Sequence, residues 1–344
     1  MRDVARLAGA SIATVSAVVN GTAVVSEGLA KKIHDAMAAL DFHPNQVARS
    51  LRVGSTDAIG MVLPDITNAF FPQVVRGVEF AAERAGYSVI LCDSNEDPAR
   101  EQRHLMALFS RRVDGVLIAC SAESTAYESL IRRRFPIVFV DRVPKGLPVS
   151  AVSTDNIDAA CQATQHLIDL GHERIALVAG NLLLSPHADR LEGFRQAMQG
   201  SHLPIRDEYL RIGDLQIESG YQHGRALLVL PTPPTAVISS NNKMLLGLMR
   251  AIREAGVRCP EEISVIGFDE HDWTANYSPK LTTIAQPAYE IGRLALETLL
   301  AKMSGGSEDT TRSEVRMLKA SLNVRESTGP SNHAWSVARR SAIP

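Results

Sequence analysis

Residues 2–20 read RDVARLAGASIATVSAVVN, a pattern that fits two short helices crossing closely at a turn. Ala5 leaves room at the crossing, Gly9 permits a positive φ at the turn, and Val15 packs the second helix onto the first. Ser11 is a natural N-cap for a helix over Ile12 to Val19, and the pair Asn20-Gly21 is a natural stop. A helix-turn-helix of this kind lays its second helix in the DNA major groove, with the residues at the start of that helix nearest the base edges. An ordinary helical hairpin in a core has the same spacing, so this stretch alone leaves both readings open.

Working outward, Ser26 to Leu40 sets Leu29, Ile33, Ala36, Met37 and Leu40 on one helical face that can cover the first two helices. A three-helix unit over residues 1–43 is expected, closed by Pro44. Residues 44–55 follow as a hinge. Within it NQVARSLR (45–52) is helix-prone but too short to be stable alone. Leu51, flanked by Arg49 and Arg52, has the makings of an apolar wedge for a minor-groove base step, with arginines to neutralise phosphate. A plain interdomain linker is the alternative.

From Asp57 onward the pattern changes to apolar strands without polar alternation, separated by helices: AIGMVLPD (58–65), YSVILCDS (87–94), VDGVLIAC (113–120) and PIVFVDR (136–142). A second cycle starts at Asn156 and carries RIALVAG (174–180), YLRIGD (209–214), AVISSN (236–241), ISVIGFD (263–269) and LTTIAQP (281–287). Such runs indicate parallel sheets covered on both faces. The expected fold is an all-α head joined to an α/β core of two doubly wound parallel-sheet lobes, with ligand at the carboxyl ends of the strands. The core is expected over 56–327, with lobe 1 over about 56–155 and 286–313 and lobe 2 over about 156–285 and 314–327. SEVRMLKASLNVRES (313–327) reads as a last strand pair, and 328–344 as a disordered tail.

At 344 residues and 45% hydrophobic content the chain can bury a large core. Residues 1–55 hold six Lys or Arg against four Asp or Glu, a net of +2 that leaves −4 for the remainder of a chain whose total is −2. That is the polarity of a DNA-binding head on an acidic regulatory body. No apolar run approaches about 18 residues and no export signal is read at the start, so no membrane partner and a cytoplasmic location are expected. Cys92, Cys120, Cys161 and Cys259 form neither a CxxC pair nor a metal cluster and read as reduced thiols. The sequence has no GxGxxG after a strand, no P-loop, no GxSxG and no metal-ligand spacing, and its histidines are scattered, so an enzyme, a metal site and a cofactor are not expected.

Taken together, the motifs DVARLAGAS…TVS, NG…VVSE, FHPNQVARSLR, IGMVLPDITNAFFPQVVRGVE, RRVDGVLI, DNIDAA, LGHERIALVAG, RLEGFRQAM, ISVIGFDE and PKLTTIAQP, in this order over about residues 1–327, resemble the lactose repressor/galactose repressor (LacI/GalR) family. The resemblance implies a homodimer whose two heads bind a palindromic operator on double-stranded DNA and whose hinges fold in the minor groove. It also implies a small-molecule effector held between the lobes. In the head, Ser11, Thr14, Ser16, Asn20 and Ser26 match phosphate or groove contacts of the family. Asn45, Ala48 and Leu51 match its hinge contacts, with Arg49 beside them, and Leu51 is the wedge by this analogy. The chain departs at Ile12, Ala13 and Ala17, where members often place polar readers and, at Ala17, commonly an arginine. A fork onto guanine is therefore missing, and thymine methyls and operator shape are expected to take over part of the choice. The chain also starts about five residues late relative to the family, without the usual Thr cap of the first helix.

In the core, Asn68, Phe70, Phe71, Asp141, Arg142, Arg190, Asn241, Asp269 and Gln286 match effector-binding positions of the family. Carboxylate, amide and guanidinium groups satisfy hydroxyls, while phenyl faces cover the apolar side of a ring. Singly, Asp141 with Arg142 also reads as a surface pair and Phe70 or Phe71 as core. Leu215 stands where sugar binders usually have an aromatic residue, and Asn242 replaces the usual aspartate. A sugar, a sugar acid or another small polar metabolite all remain open. The expected function is a transcriptional regulator, by family default a repressor, with operator affinity coupled to effector, inducer and corepressor schemes being equally compatible. A sugar-binding protein without a DNA role is the rival reading.

Overall fold

The computed structural model describes residues 1–20, 23–42, 55–121, 125–305 and 313–331. The chain divides into two compact units, Met1–Asp57 and Ala58–Pro344. In the first, α1 (Arg2–Ala8), α2 (Ile12–Asn20) and α3 (Glu27–Ala39) enclose Val4, Ala5, Ala8, Val15, Ile33 and Ala36. Helix α1 stops at Gly9, whose φ of 63° turns the chain while the amide of Ala10 returns to the Ala5 carbonyl at 3.0 Å. Ser11 Oγ accepts the Thr14 amide at 3.0 Å, so Ser11 caps α2 as its position predicts. Leu40 departs from the apolar face read over 26–40: it lies just past the end of α3 and is 43% exposed.

The second unit contains two six-stranded sheets among its described residues. The first has the order β11 (Val315–Leu318), β5 (Ala151–Thr154), β4 (Ile137–Val140), β3 (Gly115–Ile118), β1 (Ala58–Leu63) and β2 (Ser88–Asp93), all parallel. Side chains alternate between its faces. Ile59, Met61 and Leu63 meet α4 (Phe70–Ala85) and α12 (Ala288–Ser304), while Val116, Ile118 and Phe139 meet α5 (Pro98–Ser110) and α6 (Thr125–Arg132). Helices α4 and α12 touch backbone to backbone, because a Cβ at Gly77 would meet the carbonyl oxygen of Tyr289 and one at Gly292 that of Val74.

The second sheet has the order β12 (Ser321–Asn323), β10 (Thr282–Ala285), β9 (Ser264–Phe268), β8 (Ala236–Ser239), β6 (Ile175–Ala179) and β7 (Leu210–Ile212), with β12 antiparallel to β10. One face packs on α7 (Asn156–Asp169) and α8 (Ser185–Gly200), the other on α9 (Ile217–Leu228) and α10 (Asn242–Glu254). A short helix, α11 (Asp272–Asn276), follows β9. The chain passes between lobes three times, and the crossings are tied together. Thr154 Oγ1 donates to Gln286 Oε1 at 2.7 Å, and the Asp155 amide donates to the Leu318 carbonyl at 2.8 Å.

Three parts of the sequence reading are corrected. Strand β5 was not read: AVST has too little bulk to stand out, yet it is fully buried between β4 and β11. Strand β11, allotted with 314–327 to the second lobe, belongs to the first sheet, and only β12 joins the second. Residues 328–331 of the expected disordered tail are bound to the second lobe: Gly329 donates to Ser264 Oγ at 3.1 Å, His166 Nε2 lies 3.0 Å from Thr328 Oγ1, and the Ser331 amide donates to Leu170 at 2.9 Å. The remainder of the tail, 332–344, lies outside the described residues.

Candidate functional site

The start of α2 forms an exposed surface. Ser11, Ile12 and Ala13 are exposed, with Ile12 at 47%, and Thr14, Ser16 and Ala17 are half-buried. Ser11 Oγ also lies 2.8 Å from Thr14 Oγ1, so the two hydroxyls sit side by side at the helix N-terminus, where free amides favour an anion. Ser26 is exposed at the N-cap of α3, its hydroxyl unused as a cap. The side chain of Asn20 and the hinge residues Asn45, Ala48, Arg49 and Leu51 lie outside the described residues.

At the carboxyl ends of the two sheets the structure brings three of the expected effector residues, Asn68, Asp269 and Gln286, into one network with Asn242 and His271. Asn68 follows β1, and its Oδ1 accepts Asn242 Nδ2 from the opposite lobe at 2.7 Å. The same amide group donates to Asp269 Oδ2 at 2.9 Å and lies 3.1 Å from His271 Nε2. Asp269 Oδ1 in turn accepts Gln286 Nε2 at 2.5 Å. Asn241 stands apart from this chain: its Oδ1 caps α10 through the Met244 amide at 2.9 Å. Neutral Asn242, placed where an aspartate is usual, is thereby able to donate to both lobes, which a carboxylate could not do.

Asp141 and Asp269 occupy equivalent places, each just past the fourth strand of its lobe, and each is a non-glycine residue at positive φ, 63° and 75°. Each is pinned by its own amide, Asp141 to Val152 and Asp269 to Ile284, both at 2.9 Å. Strained backbone of this kind persists where its surroundings hold it. Yet the two carboxylates differ. Asp269 is fully engaged, whereas Asp141 Oδ1 is buried without a hydrogen-bond partner. Burial pushes the Asp141 carboxyl up to about 6, against the pull of Arg190 and Arg142.

The two arginines are held differently. Arg142, 4% exposed, makes a two-pronged pair with Glu96, both bonds 2.7 Å, and donates to the Cys120 carbonyl at 3.1 Å. Burial alone would lower its guanidinium, but the Glu96 contact outweighs it and the net shift is upward. Arg190 donates from Nε to Asn156 Oδ1 at 2.7 Å and from Nη1 to the Ser240 carbonyl at 2.5 Å, with its guanidinium 4.1 Å from the Phe268 ring centre. Burial pushes Arg190 down, opposed by Asp269, Asp141 and Asp189.

Phe70 and Phe71 open α4, edge to face at 5.2 Å, and both are in the first-lobe core, the Phe71 ring centre 6.0 Å from Arg142. Leu215, at φ 71°, is buried against Gly180: a Cβ there would meet Leu215 and the His187 ring. The sequence reading missed the groups that join the lobes. Lys243 Nζ lies 3.0 Å from Asp65 Oδ2, and Ser185 Oγ accepts the Val143 amide at 2.8 Å. A Lys directly after the Asn-Asn pair and an Asp at the end of the first strand were visible, but nothing in one sequence pairs residues so far apart. Among the described residues no three His, Cys, Asp or Glu are grouped to hold a metal, and no helix is long and apolar enough to cross a membrane.

Two family models match the chain: "Bacterial regulatory proteins, lacI family" over residues 1–45, and "Periplasmic binding proteins and sugar binding domain of LacI family" over 56–322. The ribose operon repressor of Escherichia coli K12 is 38% identical over 306 residues, covering 88% of this chain and 93% of the relative. Among solved structures, the lac repressor dimer bound to operator and the anti-inducer ONPF superposes with a TM-score of 0.85 at 30% identity, covering 95% of this chain and 98% of that one. A LacI family regulator from Enterococcus faecium with bound ribose gives 0.68 at 34% identity, covering 80% and 100%. The chain therefore belongs to the LacI family of bacterial regulatory proteins, DNA-binding regulators controlled by small-molecule effectors, and is not an enzyme.

Proposed function

We propose that the protein is a cytoplasmic repressor that binds a palindromic operator as a homodimer and answers to a neutral sugar of pentose size, with D-ribose the first candidate. The observation that carries the effector reading is the network at the carboxyl ends of the sheets, where Asp269, Gln286, Asn242 and Asn68 are linked and Asp141 Oδ1 is left unpartnered. Its charges favour an uncharged ligand. Arg142 is neutralised by Glu96 and Lys243 by Asp65, while Arg190 faces Asp269, Asp141 and Asp189, so none of these three cations is left over for a sugar acid. The relatives named for ribose support the same choice. Ser11, Thr14, Ser16, Asn20 and Ser26 would meet phosphate, and Ile12, Ala13 and Ala17 the bases. Asn45, Ala48, Arg49 and Leu51 would serve in the hinge.

The test joins two measurements on the full chain. A thermal-shift screen of D-ribose, other aldoses, sugar acids and nucleobases should show a rise with D-ribose, because a ligand of the native state stabilises it by mass action. Operator affinity, read on a duplex selected from a random library, should then change when that ligand is titrated, since coupling between two sites is reciprocal. A protein that binds the sugar but no duplex in a salt-sensitive way would favour the rival, a sugar-binding protein without a DNA role.

A further inference from the structure

Asp141 is the one expected effector residue whose carboxylate has a buried oxygen with no partner in the structure. Its position is not accidental slack. The backbone is held on both sides by β5, the Asp141 amide donating to Val152 at 2.9 Å and the Asp141 carbonyl accepting Ser153 Oγ at 2.7 Å, so the side chain cannot swing out to water by relaxing φ from 63°. An ionised carboxylate oxygen without a donor is costly when buried, and a donor supplied by a ligand removes that cost. We infer that effector binding is coupled to release of a proton from Asp141: the empty site holds the neutral acid, and a ligand hydroxyl donating to Oδ1 converts it to the carboxylate.

The charged groups that face Asp141 come from several elements. Arg142 beside it and Arg190 on α8 favour the anion, whereas Asp269 after β9 and Glu96 after β2 oppose it. Arg142 is already matched to Glu96 and Arg190 is shared with Asp269, so burial wins and the acid titrates at about 6. His187 on α8, the buried imidazole nearby, is pushed well below its usual range by burial and by Arg190 and Arg142, and stays neutral through the same window. Asp65, paired with Lys243 of the opposite lobe, is held below its usual value by Thr67 and Lys243 despite burial, and stays ionised. Of the groups named here, Asp141 is the one whose titration falls between pH 5 and 7.

This inference rests on the effector reading above, and the experiment separates the two. D-ribose affinity of the full chain is measured by calorimetry from pH 5.0 to 8.0. The wild type should be flat above pH 7 and lose up to about tenfold per pH unit below 6, with about half a proton released on binding at pH 6 in buffers of different ionisation enthalpy. Asp141→Asn should bind more weakly at pH 8 and lose the pH dependence. A flat wild-type profile with good affinity overturns the coupling and leaves the sugar reading intact. If D-ribose does not bind at any pH, the ribose assignment falls, and the coupling is judged on the ligand-free protein. Because the folded carboxyl lies above its unfolded value, the wild type loses stability relative to Asp141→Asn as pH rises through the window. The melting-point advantage of the variant should widen by about 3 °C between pH 5.0 and 7.5. A constant gap overturns the inference.

Discussion

Lys243 at the start of α10 and Asp65 after β1 form an ion pair of 3.0 Å between the two lobes, with both side chains largely buried. Beside it Asn242 reaches Asn68, so two adjacent residues of one lobe grip two residues of the other. This grip between the lobes is made by the chain's own side chains. Replacing Lys243 with Ala should release it. Spin-label distances across the cleft in the ligand-free protein should lengthen and broaden in Lys243→Ala, and return to the wild-type value at saturating D-ribose. An unchanged distance in the variant would mean that the crossings alone hold the lobes.

The pH dependence of this grip follows from Asp65. Burial pushes its carboxyl up, but the hydrogen bonds from Thr67 and Lys243 outweigh burial and hold it below the usual carboxylate range. A depressed carboxyl contributes stability that is present above its unfolded value and lost only as pH falls through the folded one. The cross-cleft distance should therefore be the same at pH 5 and pH 8. Opening between those limits would show that some other group, not Asp65, sets the closure.

Arg142 is the expected effector residue that the structure most clearly occupies elsewhere. Its fork is spent on Glu96, with the arginine almost wholly buried and the glutamate 26% exposed. Breaking a buried pair by removing one partner costs about 3–5 kcal/mol, and the lower end applies because Glu96 retains some water. Arg142→Ala should lower the urea midpoint accordingly, with Glu96→Gln milder. A loss of D-ribose binding in Arg142→Ala without loss of stability would return the guanidinium to the ligand.

How much of this was legible in the sequence depended on the range of the interaction. Short-range chemistry was readable: Gly9 turns at positive φ, Ser11 caps α2, and the apolar runs are strands, those of β1 and β6 buried on both faces. Strand β5 was not readable, since AVST is defined by neighbours that come more than a hundred residues later in β11 as well as by β4. The same holds for the site. The positions of Asp141, Asp269 and Gln286 could be named from motif, but not that Gln286 satisfies Asp269 while Asp141 has an orphaned oxygen. Nor could a sequence place Lys243 on Asp65.

Leu215 offers a test of ligand fit. Gly180 is already in tight contact with it, so a larger side chain at 215 has no room on that side, and the prediction is that it projects toward the ligand. Leu215→Phe would then present a ring face to a bound sugar, an interaction worth about 1 kcal/mol, or roughly fivefold in affinity. Calorimetry with D-ribose should show that gain at pH 8. A loss of binding together with a lower melting point would mean that the ring overpacks the core of the second lobe instead.

The reading surface of α2 makes the last prediction. Ile12 and Ala13 are exposed and Ala17 is half-buried, so the helix presents methyl groups where a guanine would need a fork of donors. Under the proposed function Ser11 and Thr14, whose hydroxyls lie side by side, would grip phosphate, and such contacts carry no sequence information. Operators selected from a random library by the wild type should therefore lack an invariant guanine opposite residue 17. Selection with Ala17→Arg should introduce one, with a discrimination of about 1–3 kcal/mol against other bases. A wild-type selection already fixed on guanine at that step would show that a different side chain reads it. The apolar account of this helix would then be wrong.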